Sequence, residues 1–354
     1  MKKLLLILIL THFPFLVNAQ QWSSGADISW CTEMEADSVK FYNNAGIETD
    51  LLALMQEIGM TAVRLRVWVN PENGYGRWSD KADVLTKAKR AHEHGLDIML
   101  DFHYSDNFAD PGKQAKPDAW KNLSFDELKQ AVATHTIDVL QAVKDAGIEV
   151  KWVQVGNETT SGMLWNDGHI DWDKPDKERY LNYIALSNAG YEAVKKVMPE
   201  TYVIIHHDKA QIDNTWYYKA MRRYGAKFDM IGLSLYPDWD KWEEDNTKAA
   251  RYISKMHKAF GVPVMLVEAG YPSWDEERAE KVMADLLQKM KKAKGCTGVF
   301  YWEPQVYGGW GCRLLQEDGT WSEGHKCTFS LKAPSSGAFT PYGQPAPALL
   351  LFGK

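Results

Sequence analysis

Excess positive charge is missing from this chain. Its 354 residues carry 41 Lys and Arg against 47 Asp and Glu, for a net charge of −6 and a pI near 6.0. That leaves no basic footprint for a nucleic-acid partner. Cysteine is scarce, with four in the whole chain. No Gly-rich phosphate-binding turn follows the first strand-like run, which ends at Ser29, so the opening of a dinucleotide-binding sheet is lacking. The acids between Asp106 and Asp110 lack the Gly and terminal Glu of a spaced calcium loop. The apolar run Leu4–Leu16 is too short and too early to be a structural membrane span.

That run lies between Met1-Lys2-Lys3 and Val17-Asn18-Ala19, the layout of an export signal with its cleavage site. Residues 1–19 are read as a signal peptide and 20–354 as one catalytic domain. No Cys follows the cleavage site, so no lipid anchor is expected. The expected location is periplasmic or secreted, with no membrane anchor and no obligate protein partner. Outside the cytoplasm cysteines can pair. Cys312 and Cys327 share a Gly-rich region and are the expected pair; Cys31 and Cys296 are poorer partners.

Abundance lies elsewhere. Hydrophobic residues make up 45% of the chain, enough for a full core, and there are fifteen Trp. Some of these belong to that core. Others stand at loop-like positions, where an indole offers a flat apolar platform of the kind sugar rings stack on.

Eight strand-like runs alternate with helical stretches. The runs are Gly25–Ser29, Ala62–Val69, Asp97–His103, Val150–Asn157, Tyr202–His206, Met230–Tyr236, Val264–Glu268 and Gly298–Trp302. Amphipathic stretches such as Lys81–His94, Phe125–Ala146, Lys177–Val197 and Glu276–Lys292 lie between them. This alternation, without a composition break, predicts a parallel sheet with crossover helices. Eight such units in this length fit a closed (β/α)₈ TIM barrel of the α/β class. An open doubly wound sheet is the alternative.

Period-two alternation sorts the polar residues. Val63, Leu65 and Val67 take the helix-facing side of the second run, and Arg64, Arg66 and Trp68 the interior. In the third run Met99, Asp101 and His103 face in. In the sixth Gly232, Ser234 and Tyr236 face in. In the fifth His206 closes the strand with Asp208 just beyond on the same parity. Each interior face turns polar toward its C-terminal end. Buried charge costs several kcal/mol unless paired, so packing does not account for this. An active site at the C-terminal face of a barrel does.

Two carboxylates stand out there. Glu158 ends Val153-Gln154-Val155-Gly156-Asn157-Glu158, and Glu268 ends Val264-Met265-Leu266-Val267-Glu268. Paired carboxyls on converging strand ends are the equipment for glycosidic cleavage. One protonates the leaving oxygen; the other attacks the anomeric carbon or activates water. Glu158 beside the amide of Asn157 suits the acid/base. Glu268, with Arg64 and Tyr236 available as donors, suits the nucleophile. Arg66 fits a structural ion pair as well as a site role. A lone His is commonly a core residue, but His103 and His206 share a layer with the carboxylates. Asp101, His103, His206 and Asp208 are all metal-ligand types. The first run offers only Asp27 and Ser29 and no His, so metal catalysis is not expected, and no cofactor is implied.

The motifs taken in order resemble glycoside hydrolase family 53, the β-1,4-galactanases. They are Ala26-Asp27-Ile28-Ser29, Val63–Pro71, Asp101–Asp106, Ala109–Gly112, Val155–Glu158, Gly162–Trp165 and Tyr301–Pro304. Each is weak alone; the ordered set, over nearly the whole chain after residue 19, is specific. The resemblance implies a retaining enzyme acting on β-1,4-galactan and galacto-oligosaccharides, with acid/base and nucleophile on the fourth and seventh strands. Those roles fall on Glu158 and Glu268. Arg64, His103, Asn157 and Tyr236 then surround the sugar beside the scissile bond, and Trp302 lies beneath it. Trp68, Trp120 and Trp165 match further aromatic positions near the cleft, and His206 and Asp208 match the fifth strand. Phe108 stands where the family more often has Trp. The segment Ala269–Glu277 is short where some bacterial relatives carry a calcium loop. A β-mannanase or cellulase on the same kind of barrel is the near rival, since galactose differs from glucose by an axial 4-hydroxyl that no residue type reports. A catalytically dead sugar-binding barrel is the rival from another class; it would keep the tryptophans and lose a carboxylate.

Overall fold

The computed structural model of the chain describes residues 21–71, 77–272, 274–307, 310 and 337–354. The expected signal peptide and the Cys312–Cys327 pair lie outside the described residues. Within them, eight strands close into one parallel barrel. In chain order they are Ser23–Asp27, Ala62–Val67, Asp97–Phe102, Trp152–Val155, Tyr202–His207, Met230–Leu235, Val264–Ala269 and Cys296–Tyr301, called here the first to eighth strands. The first pairs with the eighth and the second, which closes the ring. The open-sheet alternative is thereby replaced by a TIM barrel.

Helices cover the outside because their sequences carry one apolar stripe and good ends. Helix Phe125–Asp145 begins with a reciprocal capping box between Ser124 and Glu127, and it buries Leu128, Val132, Val139, Leu140 and Val143. Asp80 and Asp275 cap helices Lys81–Glu93 and Glu276–Lys292 by accepting from backbone amides. The large outer core holds the helix-facing strand residues, Val63, Leu65, Leu100, Phe102 and Leu233 among them.

The barrel interior has two levels. The lower is an apolar plug of Ala62, Met99, Trp152, Ile204, Met230, Met265, Val267 and Phe300, all fully buried. Glycines make room for its large members. A Cβ on Gly25 would meet the Phe300 ring at 2.4 Å, and one on Gly232 would meet the Ile204 side chain at 2.6 Å. Above the plug, toward the C-terminal ends of the strands, the inward residues are Asp27, Arg64, Arg66, Asp101, Gln154, His206 and Ser234. All of these are buried.

One strand departs from alternation. Met265 and Val267 face the plug while Val264 and Leu266 face the helices, so strict period two would turn Glu268 outward. Instead Leu233 pairs with Leu266 but Ser234 pairs with Glu268, a one-residue bulge that places Val267 and Glu268 successively on the interior. Bulges commonly re-aim a side chain beside a site.

Candidate active site

Arg64 organises the upper level. Its Nε donates to Gln154 Oε1 at 2.7 Å, and its Nη1 to Asp27 Oδ2 at 2.6 Å. Its Nη2 donates to Asp101 Oδ2 at 2.7 Å, Asn157 Oδ1 at 2.8 Å and Glu268 Oε1 at 2.6 Å. A guanidinium fits because its planar fork serves several acceptors at fixed angles. One positive charge is thus shared by three carboxylates. Burial raises the Glu268 pKa, Arg64 opposes this, and Asp101 and Asp27 add to it; the balance places Glu268 at about 7. The Tyr236 hydroxyl donates to the other oxygen, Oε2, at 3.0 Å, so both oxygens are fixed.

Glu158 follows the fourth strand in a left-handed backbone conformation, φ 45° and ψ 52°. It is partly exposed, whereas Glu268 is 4% exposed. No cation pairs with Glu158 among the described residues. Burial raises its pKa well above the usual range, and the negative charge of Glu268 raises it further; a hydrogen bond with Ser234 pulls the other way. The two carboxyls therefore lie close enough to act on each other's ionisation. Their environments differ in one decisive respect, the direct Arg64 pairing of Glu268.

The histidines serve the shell behind these groups. His103 Nδ1 accepts from the Ala109 amide at 2.9 Å, so the proton sits on Nε2, which donates to Asp101 Oδ2 at 2.9 Å. His206 Nδ1 faces the Gln154 amide nitrogen at 2.8 Å and the Glu158 backbone N–H at 3.2 Å. Gln154 Oε1 already accepts from Arg64, so its NH₂ points at His206. His206 Nε2–H is left to donate to Ser234 Oγ at 2.8 Å. Burial lowers the pKa of both histidines and, for His206, Arg64 lowers it further, which keeps the rings neutral. A continuous chain thus runs Arg64–Gln154–His206–Ser234–Glu158. Gln154 and Ser234 carry no recognisable motif; the inward parity of Ser234 was the only signal in the sequence. Asp208, buried beside this chain, hydrogen-bonds Thr160 and adds its charge to the field on Glu158.

Several expected substrate contacts lie elsewhere. Asp101 and His206 are fully buried; Arg64 links Asp101 to the Glu268 carboxyl, and Ser234 links His206 to the Glu158 carboxyl. Trp68 is fully buried, because its indole covers the Arg66 guanidinium at 4.5 Å. Trp30 and Phe108 cover the same guanidinium at 4.3 Å each, and Arg66 pairs with buried Glu303 at 2.9 Å. Arg66 and Phe108 thus belong to an enclosed aromatic box, not to a stacking surface. Trp120 is 8% exposed and packs near Tyr104 and His135. A buried ring has no free face for a sugar. Trp302 and Trp165 are half-buried. Trp302 meets Tyr236 edge-on with centroids 5.9 Å apart, and Trp165 donates to the Ser161 carbonyl at 3.0 Å. Asn157 is 5% exposed, with its amide nitrogen donating to the Ala109 carbonyl at 2.8 Å. Among the described residues no group of three or more His, Cys, Asp or Glu is placed to hold a metal ion, and Cys31 and Cys296 are free thiols.

Two carboxyls in different surroundings at the mouth of a TIM barrel fit a glycoside hydrolase. Comparison with known proteins narrows the class. The model of glycosyl hydrolase family 53 matches residues 23–283. The chain belongs to that family and is a glycosidase. It is 31% identical over 325 residues to an arabinogalactan endo-β-1,4-galactanase of Cellvibrio japonicus, covering 84% of this chain and 83% of that protein. It is 30% identical over 310 residues to an endo-β-1,4-galactanase of Bacillus subtilis (strain 168), covering 79% and 69%. A solved structure of fungal β-1,4-galactanase is 26% identical with a TM-score of 0.77, covering 93% of this chain and 98% of that one.

Proposed function

We propose that the protein is an endo-β-1,4-galactanase that cleaves galactan, or type I arabinogalactan, by a retaining double displacement. Glu268 is the nucleophile and Glu158 the general acid/base. The observation that carries this reading is the asymmetry between the carboxyls. Glu268 has both oxygens fixed by cationic and phenolic donors, which favour the ionised form and aim it. Glu158 lacks a cation and is pushed up by its neighbour, which favours the protonated form.

In the first step the Glu158 proton goes to the departing glycosidic oxygen while Glu268 bonds to the anomeric carbon. Loss of the Glu158 proton is eased by the Ser234 hydrogen bond. In the second step Glu158, now a carboxylate, takes a proton from water as the water displaces Glu268. Trp302 and Tyr236, side by side at the mouth, border the sugar that carries the reacting carbon. The substrate assignment draws on the names of the relatives, and export draws on the leader-like residues 1–19. No helix among the described residues is long and apolar enough to cross a membrane.

Product sizes from linear β-1,4-galactan, with mannan and cellulose as controls, test the substrate. Glu268→Gln should abolish turnover of every substrate in a folded protein. Glu158→Gln should be slow on galactan yet retain activity on aryl galactosides with good leaving groups, which need little protonation. Identical responses of the two variants to leaving-group pKa would reverse or void the roles. Proton NMR should show the β-anomer first; an initial α-anomer would mean inversion.

A further inference from the structure

Tyr271, Trp239 and Trp274 form a column of rings on the catalytic face. Trp239 and Trp274 stack with centroids 4.4 Å apart and planes at 16°, and Trp239 and Tyr271 at 5.6 Å and 12°. Trp239 follows the sixth strand, on the loop just beyond Tyr236, and Tyr271 and Trp274 follow the seventh, on the loop just beyond Glu268. The two loops are clamped together. The Tyr271 hydroxyl and the Arg278 guanidinium both donate to the Trp239 carbonyl, at 3.3 and 2.5 Å. The guanidinium carbon also lies 3.8 Å from the centre of the Trp239 ring.

Exposure rises along the column. Tyr271 is buried, Trp239 half-buried and Trp274 69% exposed. Trp239 covers one face of Trp274, so its exposure is concentrated on the opposite face and the edge. A scattered exposed Trp needs no explanation. This one forgoes burial while an ordered stack and a clamp fix its support. A platform held in place this way loses little side-chain freedom when something settles on it.

We propose that this column is a distal subsite, with a pyranose ring of the substrate chain resting on the open face of Trp274. The inference rests on the galactanase reading above. An axial 4-oxygen leaves the C3–H, C4–H and C5–H bonds of galactose on one face, an apolar patch that an indole covers. Six residues of extended chain reach about 20 Å, so Trp274 lies within a short oligosaccharide's length of Glu268. Tyr236 opens the first of these loops and Glu268 stands next to last in the seventh strand, so the column is on the same face of the barrel as the active site.

The test compares the wild type with Trp274→Ala and Trp274→Phe in the full chain. The substrates are linear β-1,4-galactan and the shortest galacto-oligosaccharide the enzyme cleaves. Binding of galacto-oligosaccharides of rising length is measured by calorimetry in a Glu268→Gln background. Trp274→Ala should lower kcat/KM on the polymer roughly three- to tenfold. It should weaken binding of the longer oligosaccharides by a similar factor while leaving the shortest substrate and the melting temperature unchanged. Trp274→Phe should recover part of the loss. An equal loss on short and long substrates, or an unchanged dependence on length, overturns the inference. Should the wild type degrade mannan or cellulose in place of galactan, the galactanase reading fails, and the same comparison on that polymer still decides the role of the column.

Discussion

Replacing Ser234 with Ala should move the alkaline limb of the pH–rate profile upward and leave the acid limb in place. Ser234 Oγ accepts from His206 Nε2, so its single proton is free for the Glu158 carboxyl. A hydrogen bond donated to a carboxylate favours the ionised form, so it lowers the Glu158 pKa and its loss raises it. Hydrogen bonds to charged groups contribute about 1.5–3 kcal/mol, and about 1.36 kcal/mol corresponds to one pKa unit. Protonated Glu158 retains part of the interaction, so a rise of roughly one unit is expected. The assay is kcat/KM against pH on a soluble galacto-oligosaccharide, which reports the free enzyme. The rate at neutral pH should fall, since a less willing donor gives up its proton more slowly. The variant also leaves His206 Nε2–H without its acceptor in a buried place, which should cost about 1–3 kcal/mol of stability. An alkaline limb that stays put or moves down would refute the chain of hydrogen bonds as the means of tuning Glu158. Parallel movement of both limbs would point instead to a general disturbance of the pair.

Asp101→Asn should move the acid limb downward, because the Asp101 charge raises the Glu268 pKa and its removal makes the nucleophile easier to ionise; an upward shift would contradict the sharing of Arg64. Trp302→Ala should cut kcat/KM on galactan while lowering the melting temperature less than Leu266→Ala, since Leu266 is fully buried and such truncations cost about 2–5 kcal/mol. A Trp302 variant that melts far earlier yet keeps full activity when folded would make this residue part of the core. Arg66→Ala should destabilise by about 1–3 kcal/mol because it takes the donor from buried Glu303, whose pKa burial already pushes up to about 8; thermal unfolding unchanged from wild type would refute that account of the box.

Strand and helix periodicities were plain in the sequence because each element buries one face, and a face repeats at a fixed interval. The same regularity put Arg64, Asp101 and His103 inside the barrel, where they are found. It failed at Glu268, whose inward direction comes from an extra residue in the seventh strand that no composition signal marks. Trp68 and Trp120 were expected near the cleft because they match aromatic positions of the family that the motifs resemble. A guanidinium and other aromatic rings hold those two in the core, and such partners come from distant elements. The Gln154–His206–Ser234 chain was illegible for a related reason. Its members come from three strands, and their mutual hydrogen bonds exist only once the barrel closes.

The apolar plug beneath Arg64 has a consequence for how this barrel can change over time. Three of its eight members are Met, which is unbranched and adapts to irregular space. Exchanges such as Met99→Leu or Met265→Leu, which conserve volume, should cost less than about 1.5 kcal/mol. The level above offers no such latitude, since Arg64 answers five partners at once and each of them constrains it. The barrel is therefore a building of two storeys with different tolerances. Sequence drift and laboratory stabilisation have room on the lower floor, while the upper floor holds the chemistry fixed.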